Sequence, residues 1–177
     1  MTTANKLTIL RVLMIPAFLV VLYWGFPGSR YVALGIYIVA CLTDLLDGYI
    51  ARHYNQITNF GKFMDPLADK MLVMAAMCYF VEYGQMPGWC LAIVLLREFA
   101  VSGMRLVAVE QGRVIAAAWS GKVKTASTMV CLCAMLLNVF GAYAWFDPLC
   151  NAVIVLTTAY SGIEYFIKNA DVFREPD

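Results

Sequence analysis

Six apolar stretches, each near the roughly 20 residues a helix needs to cross a bilayer, occupy most of this 177-residue chain. They fall at about 7–25, 31–53, 61–83, 88–110, 117–140 and 146–167. In hydrocarbon each segment must satisfy its own backbone polar groups, so runs of this kind are read as helices. Composition agrees. The chain is 62% hydrophobic and only 14% charged, where a soluble domain carries about a quarter charged residues. The expectation is a single all-α integral membrane domain over 1–177 with six transmembrane helices.

The breaks between stretches carry turn chemistry: Gly25-Phe26-Pro27-Gly28-Ser29, then Tyr83-Gly84-Gln85-Met86-Pro87-Gly88, then Phe146-Asp147-Pro148. Lys6 and Arg11 ahead of the first apolar core resemble the start of a signal peptide. Tyr23, Trp24 and Phe26 stand where small residues would mark cleavage, so a retained first helix is expected. No internal repeat or low-complexity linker interrupts the pattern.

Basic residues are asymmetric. Lys6, Arg11, Arg52, Lys62, Arg105, Arg113, Lys122, Lys124, Lys168 and Arg174 lie near the N-terminus, the second and fourth turns and the C-terminus. The other side has Arg30 and little else. The positive-inside rule then puts both termini in the cytoplasm, which requires an even number of spans. A net charge of +1 without a basic stripe excludes a nucleic-acid partner.

Four aspartates sit within this oily frame: Asp44, Asp47, Asp65 and Asp69. A carboxylate near the bilayer centre costs roughly 2.5–3.5 kcal/mol even on the lenient insertion scale. Something positive must offset four of them. At 100° per residue Asp44, Asp47, Gly48, Ala51 and Arg52 fall within an arc of about 140° on one helix face. Gly61, Asp65 and Asp69, each four apart, track one face of the next helix. A short turn makes the two helices antiparallel neighbours, so all four carboxylates can converge in a polar cavity on the cytoplasmic side. Gly48 and Ala51 keep that face low, and Pro66 fits the first turns of its helix.

Three readings of the acids stand at this point. They could form structural ion pairs with Lys62, Lys70 or Arg52. They could relay protons or cations in a transporter. They could hold a hard divalent ion, Mg²⁺ or Mn²⁺, because the donors are all oxygen. His53, the only histidine, ends its helix and reads as interfacial. The six cysteines lie mostly in apolar runs without a CxxC pair, and read as buried reduced thiols.

The pattern Asp44-x2-Asp47-Gly48-x2-Ala51-Arg52-x8-Gly61-x3-Asp65-x3-Asp69 resembles the signature of the CDP-alcohol phosphotransferase family at every defined position. Three further stretches resemble the phosphatidylglycerophosphate synthase branch of that family. They are Asn5-Lys6-Leu7-Thr8-Ile9-Leu10-Arg11, Arg97-Glu98 through Ser102 to Arg105, and Gly121-Lys122-Val123-Lys124-Thr125. Thr128 departs from the branch, whose members often carry Gln there.

The resemblance implies transfer of a phosphatidyl group from CDP-diacylglycerol to sn-glycerol 3-phosphate, with release of CMP. It implies two divalent cations, Mg²⁺ or Mn²⁺, held by Asp44, Asp47, Asp65 and Asp69, with Asp69 also the general base. Thr8, Asp44, Gly48, Ala51, Arg52 and Gly61 would bind the CDP-lipid. It further implies contact with membrane lipids, a bacterial inner or plasma membrane, and a homodimer.

The acceptor's phosphate needs fixed cations. Arg97 and Arg105 are eight apart on the fourth helix and lie roughly on one face, and Lys122 and Lys124 open the fifth. Arginine suits phosphate bidentately and lysine adds point charge. Lys122 and Lys124 could instead be positive-inside anchors, and Arg97 either pairs with Glu98 or turns toward the cavity. A phosphorylated acceptor is favoured over serine or a lipid alcohol; a sister enzyme with another acceptor, such as inositol phosphate, and a cation transporter remain the alternatives. Tyr160 and Glu164 on the last helix either approach the cavity or pack in the core, and core packing is the expectation.

Overall fold

The computed structural model describes residues 3–53, 59–116, 118–137 and 144–173, with side chains except at 3–6, 44–53, 59–63, 65–66 and 173. The described residues form six α-helices and no strand: α1 Thr3–Trp24, α2 Ser29–His53, α3 Asn59–Glu82, α4 Gly88–Glu110, α5 Trp119–Leu137 and α6 Phe146–Lys168. A short 3₁₀ turn, Ala170–Phe173, follows. Each helix lies within about one turn of its expected position. Gly25 (φ 67°) and Gly28 (φ 88°) reverse the chain between α1 and α2, in a conformation a side chain would resist. Gly112 (φ 72°) ends α4 while the Arg113 N–H donates back to the Ala108 carbonyl at 2.8 Å.

The chain divides into two compact units, Met1–Phe80 with Cys133–Ala142, and Val81–Leu132 with Tyr143–Asp177. In the first, α1 and α2 form a hairpin. The buried positions of α1 are Thr8, Arg11, Ile15, Phe18 and Leu22, spaced alternately three and four residues apart. That spacing is a helix seam. The matching seam of α2 is Ala33, Tyr37 and Ala40. Phe18 meets Tyr37 across the hairpin with ring centroids 5.9 Å apart. On α3, Ala68, Leu72, Ala76 and Phe80 make one buried row, and Val73 and Met77 make another. Near the C-terminal end of α3, Tyr79 stands edge-on to Tyr23 at 5.6 Å and beneath the Arg30 guanidinium at 5.8 Å.

In the second unit α4 and α6 pack side by side and run parallel. At their starts Gln85 Nε2 donates to Asp147 Oδ2 (3.1 Å), and Asn151 Nδ2 donates to the Gln85 carbonyl (2.9 Å). At their ends Gln111 Nε2 donates to the Val172 carbonyl (3.1 Å), and Arg113 pairs with Asp171 (2.7 Å). A small core of Val101, Met104, Ala108, Tyr165 and Val172 fills the space near those ends. α5 runs opposite to α6: Ser127 Oγ donates to Thr157 Oγ1 at 3.1 Å, while Gly121, further back on α5, lies near Ser161, further on in α6.

The outside of these helices is apolar. Trp24, Leu96, Phe99, Val130, Leu156 and Ile167 are each more than two-thirds exposed. Surface of this kind is unfavourable in water by about 25 cal/mol per Å² and is at ease against lipid. Leu7–Trp24 and Phe146–Lys168 are long and apolar enough to cross a membrane on length and composition alone. Elsewhere charged residues interrupt the apolar runs, as Arg97, Glu98 and Arg105 do in α4. The chain is a helical membrane protein.

Candidate functional site

The acidic segment occupies the end of α2 and the start of α3. Asp44, Asp47, Gly48, Ala51 and Arg52 fall within α2, and Gly61, Asp65 and Asp69 within α3. The side chains of all of these except Asp69 lie outside the described residues, so the convergence expected of the four carboxylates lies there too. Asp69 is half-buried and stands one helical turn before buried Val73 and two before Met77, on an inward row of α3. It also lies within electrostatic reach of Tyr37 on α2. Among the described residues no three acids, histidines or cysteines come together as a metal site.

The α1 seam adds two polar residues to this end of the hairpin. Thr8, expected at the CDP-lipid, is buried, and Arg11 is 0% exposed. Ala33, Tyr37 and Ala40 are spaced four and three apart, and the same spacing runs on through positions 44, 47 and 51 of the sequence. With Phe18 level with Tyr37, the hairpin register sets Arg11 about level with position 44 and Thr8 with position 47. The sequence marked Arg11 as a topology charge and as the end of the Asn5–Arg11 stretch that resembles the synthase branch, without a role at the site. Its place on the seam, three residues after Thr8 and four before Ile15, was the available signal.

The second unit gathers the cations differently from a simple cluster. Arg97 falls on the α4 seam between Val94 and Val101, so its side chain enters the helix interface. There Nη1 donates to Glu98 Oε1 at 3.0 Å and Nη2 to Ser161 Oγ at 2.7 Å. Lys124 Nζ donates to the same Glu98 oxygen at 2.6 Å. Side-chain exposures are only 12% for Arg97 and Glu98 and 6% for Lys124. Arg97 therefore pairs with Glu98, one of its two expected courses. One carboxylate pairs with two cations and so leaves the trio one net positive charge. Such charges persist in a dry interface only when paired and hydrogen-bonded.

Arg105 also turns to α6, where Nε donates to the Tyr165 hydroxyl at 2.9 Å and the guanidinium stands 5.5 Å from the ring centre. Lys122 is exposed, with its ammonium 5.9 Å from the Trp119 ring centre. The structure thus joins Arg97 to Lys124 through Glu98, places Arg105 on Tyr165, and leaves Lys122 on the outer face. Ser161 and Tyr165 carried no sequence signal beyond an inward helical position.

Three expectations are corrected. Tyr160 is two-thirds exposed and, with Glu164, lines a groove of ≈ 330 Å³ beside Trp119, Val123 and Leu156 instead of packing in a core. Glu164 pairs with Lys168 one turn on, because the end of α6 presents that face outward. All six cysteines are free, yet Cys78 is exposed and not buried, since it lies off the inward rows of α3. Thr128 spends its hydroxyl inside its own helix, donating to the Lys124 carbonyl at 2.8 Å.

A model of the CDP-alcohol phosphatidyltransferase family matches residues 1–161, which takes in helices of both units. The chain belongs to that family. It is 39% identical to the CDP-diacylglycerol–glycerol-3-phosphate 3-phosphatidyltransferase of Bacillus subtilis, with 96% of each chain covered. It is 38% identical to a probable phosphatidylglycerophosphate synthase of Mycobacterium tuberculosis, covering 93% of this chain and 80% of that one. To the CDP-diacylglycerol–glycerol-3-phosphate 3-phosphatidyltransferase of Escherichia coli it is 37% identical, with 90% of each covered.

Proposed function

We propose that this chain transfers the phosphatidyl group of CDP-diacylglycerol to sn-glycerol 3-phosphate, giving phosphatidylglycerophosphate and CMP. The names of relatives aligned over nearly the whole chain support the reaction. The observation that carries it within this chain is where each helix seam turns polar. Thr8 and Arg11 stand in the first half of α1, Ser120 and Lys124 in the first half of α5, and Asp69 and Thr128 near the middle of α3 and α5. Arg97 lies near the middle of α4 and Thr158 near the middle of α6, with Ser161 one turn further on. In sequence Asp44 and Asp47 likewise fall late in α2. If six helices alternate across the bilayer with both termini cytoplasmic, these positions run along their own helices from the cytoplasmic half to about the bilayer centre. A water-soluble phosphate and a membrane-held CDP-lipid can meet there.

The donor set of Asp44, Asp47, Asp65 and Asp69 fits two hard divalent cations, Mg²⁺ or Mn²⁺: all carboxylate oxygen, with no thiolate or imidazole. When bound, such ions supply Lewis-acid stabilisation of charge on the diphosphate oxygens. Gly48, Ala51 and Gly61 leave room for the nucleotide against the helix backbone, and Arg52, Arg11 and Thr8 supply donors to its phosphates. Arg97, Arg105, Lys122 and Lys124 attract and hold the acceptor's phosphate. Asp69 takes the proton of the acceptor hydroxyl. The freed oxygen then bonds to the phosphatidyl phosphorus, the bond from that phosphorus to the CMP oxygen breaks, and CMP leaves with the electron pair. A homodimer belongs to the same reading.

The test is CMP release by the purified chain in detergent, with CDP-diacylglycerol and a panel of glycerol 3-phosphate, inositol phosphate, serine and phosphatidylglycerol. Release with glycerol 3-phosphate alone supports the assignment, and a preference for another acceptor moves the chain to a sister activity. Chelated enzyme should be inert until Mg²⁺ or Mn²⁺ is returned.

A further inference from the structure

Two arginines on α4 are each held by one residue of α6. Arg97 Nη2 donates to Ser161 Oγ at 2.7 Å, and Arg105 Nε donates to the Tyr165 hydroxyl at 2.9 Å. Ser161 and Tyr165 are one turn apart and both are buried. Because α4 and α6 run parallel, two successive inward positions on one helix can serve two successive arginines on the other. The Arg97 shaft lies close against a glycine of α6. A Cβ at Gly162 would lie 3.2 Å from Arg97 Cγ, closer than such carbons ordinarily approach.

We propose that Ser161 and Tyr165 are positioning residues that fix Arg97 and Arg105 as a pre-set pair for the acceptor's phosphate, with Gly162 as the clearance that admits the Arg97 shaft. This rests on the acceptor reading given above. Arginine side chains lose considerable rotamer freedom when ordered. Holding both guanidiniums before substrate arrives moves that cost from binding to folding, and a phosphate then meets donors already in place. Neither hydroxyl needs to touch substrate. Ser161 takes one guanidinium N–H, while Glu98 takes another and also fixes Lys124. Tyr165 adds its ring face under Arg105, 5.5 Å from the guanidinium carbon, as a second restraint.

Ser161→Ala and Tyr165→Phe remove only the two hydroxyls. Steady-state kinetics should show the KM for glycerol 3-phosphate rising about tenfold in each, the size of a lost hydrogen bond to a charged group. kcat and the KM for CDP-diacylglycerol should stay within about twofold. Ser161→Thr, which keeps the hydroxyl, should restore the acceptor KM. Gly162→Ala should raise it as Ser161→Ala does, by displacing the Arg97 shaft. Equal effects on both substrates, or unchanged constants in both hydroxyl deletions while the wild-type chain turns over glycerol 3-phosphate, would overturn the proposal and leave the acceptor assignment standing. Failure of the wild-type chain to use glycerol 3-phosphate would instead remove the reading on which it rests. Melting of each variant in the same detergent separates a positioning loss from a folding loss: an acceptor KM restored in Ser161→Thr at unchanged melting temperature supports positioning.

Discussion

Glu98 and Lys124 join α4 to α5 in the second unit, with Nζ 2.6 Å from Oε1. The same oxygen holds Arg97 at 3.0 Å. A lone carboxylate between two cations is a stability device as well as an electrostatic one. Without it two like charges would share a nearly dry interface.

Glu98→Gln keeps the shape and removes that charge. Breaking a buried ion pair from one side costs about 3–5 kcal/mol. The variant is expected to melt well below the wild-type chain in the same detergent, and Glu98→Gln combined with Lys124→Met should recover part of the loss. Equal melting of wild type and Glu98→Gln would mean the trio is hydrated and contributes little.

Arg11 lies by its seam position at the end of the hairpin where the proposed function puts the CDP-lipid. Arg11→Gln should raise the KM for CDP-diacylglycerol by about tenfold or more, in the range of a lost charge-assisted contact. The KM for glycerol 3-phosphate should change little. The reverse pattern would transfer Arg11 to the acceptor side.

Alternating spans predict opposite faces for the ends of α3 and α6. Alkaline phosphatase fused after Gly84 should be active in intact bacterial cells, whereas a fusion at Asp177 should be inactive and fluorescent as the corresponding green fluorescent protein. Activity of the phosphatase at the C-terminus would contradict an even number of crossings.

Much of the fold was legible because membrane helices announce themselves by length and hydropathy, and because Gly25, Gly28 and Gly84 punctuate them. The pairing of helices was not. That α4 and α6 run side by side is set by Gln85 with Asp147 and Arg113 with Asp171, contacts between residues some sixty positions apart. The acids were legible from helical periodicity, and Arg97 from its charge in an apolar run. Arg11 looked like one more basic residue near a terminus, and only its seam position marks it as interior. Ser161 and Gly162 are small residues with no chemical signature of their own. Their meaning comes from the arginine that lies against them. Tyr160 and Glu164 were misread because a helix against lipid can expose an aromatic without penalty, and composition does not distinguish that face from a packed one.

In the proposed reaction Asp69 turns a bound acceptor hydroxyl into the attacking oxygen on CDP-diacylglycerol. Its most direct test follows radiolabelled glycerol 3-phosphate into chloroform-extractable lipid, using purified wild-type chain and Asp69→Asn at saturating Mg²⁺. Label should enter phosphatidylglycerophosphate in step with CMP release by the wild-type chain. Asp69→Asn should fall by at least about a thousandfold, combining loss of base and metal ligand, while still binding CDP-diacylglycerol measurably. Turnover of Asp69→Asn near the wild-type rate, or CMP release without label entering lipid, would contradict the account.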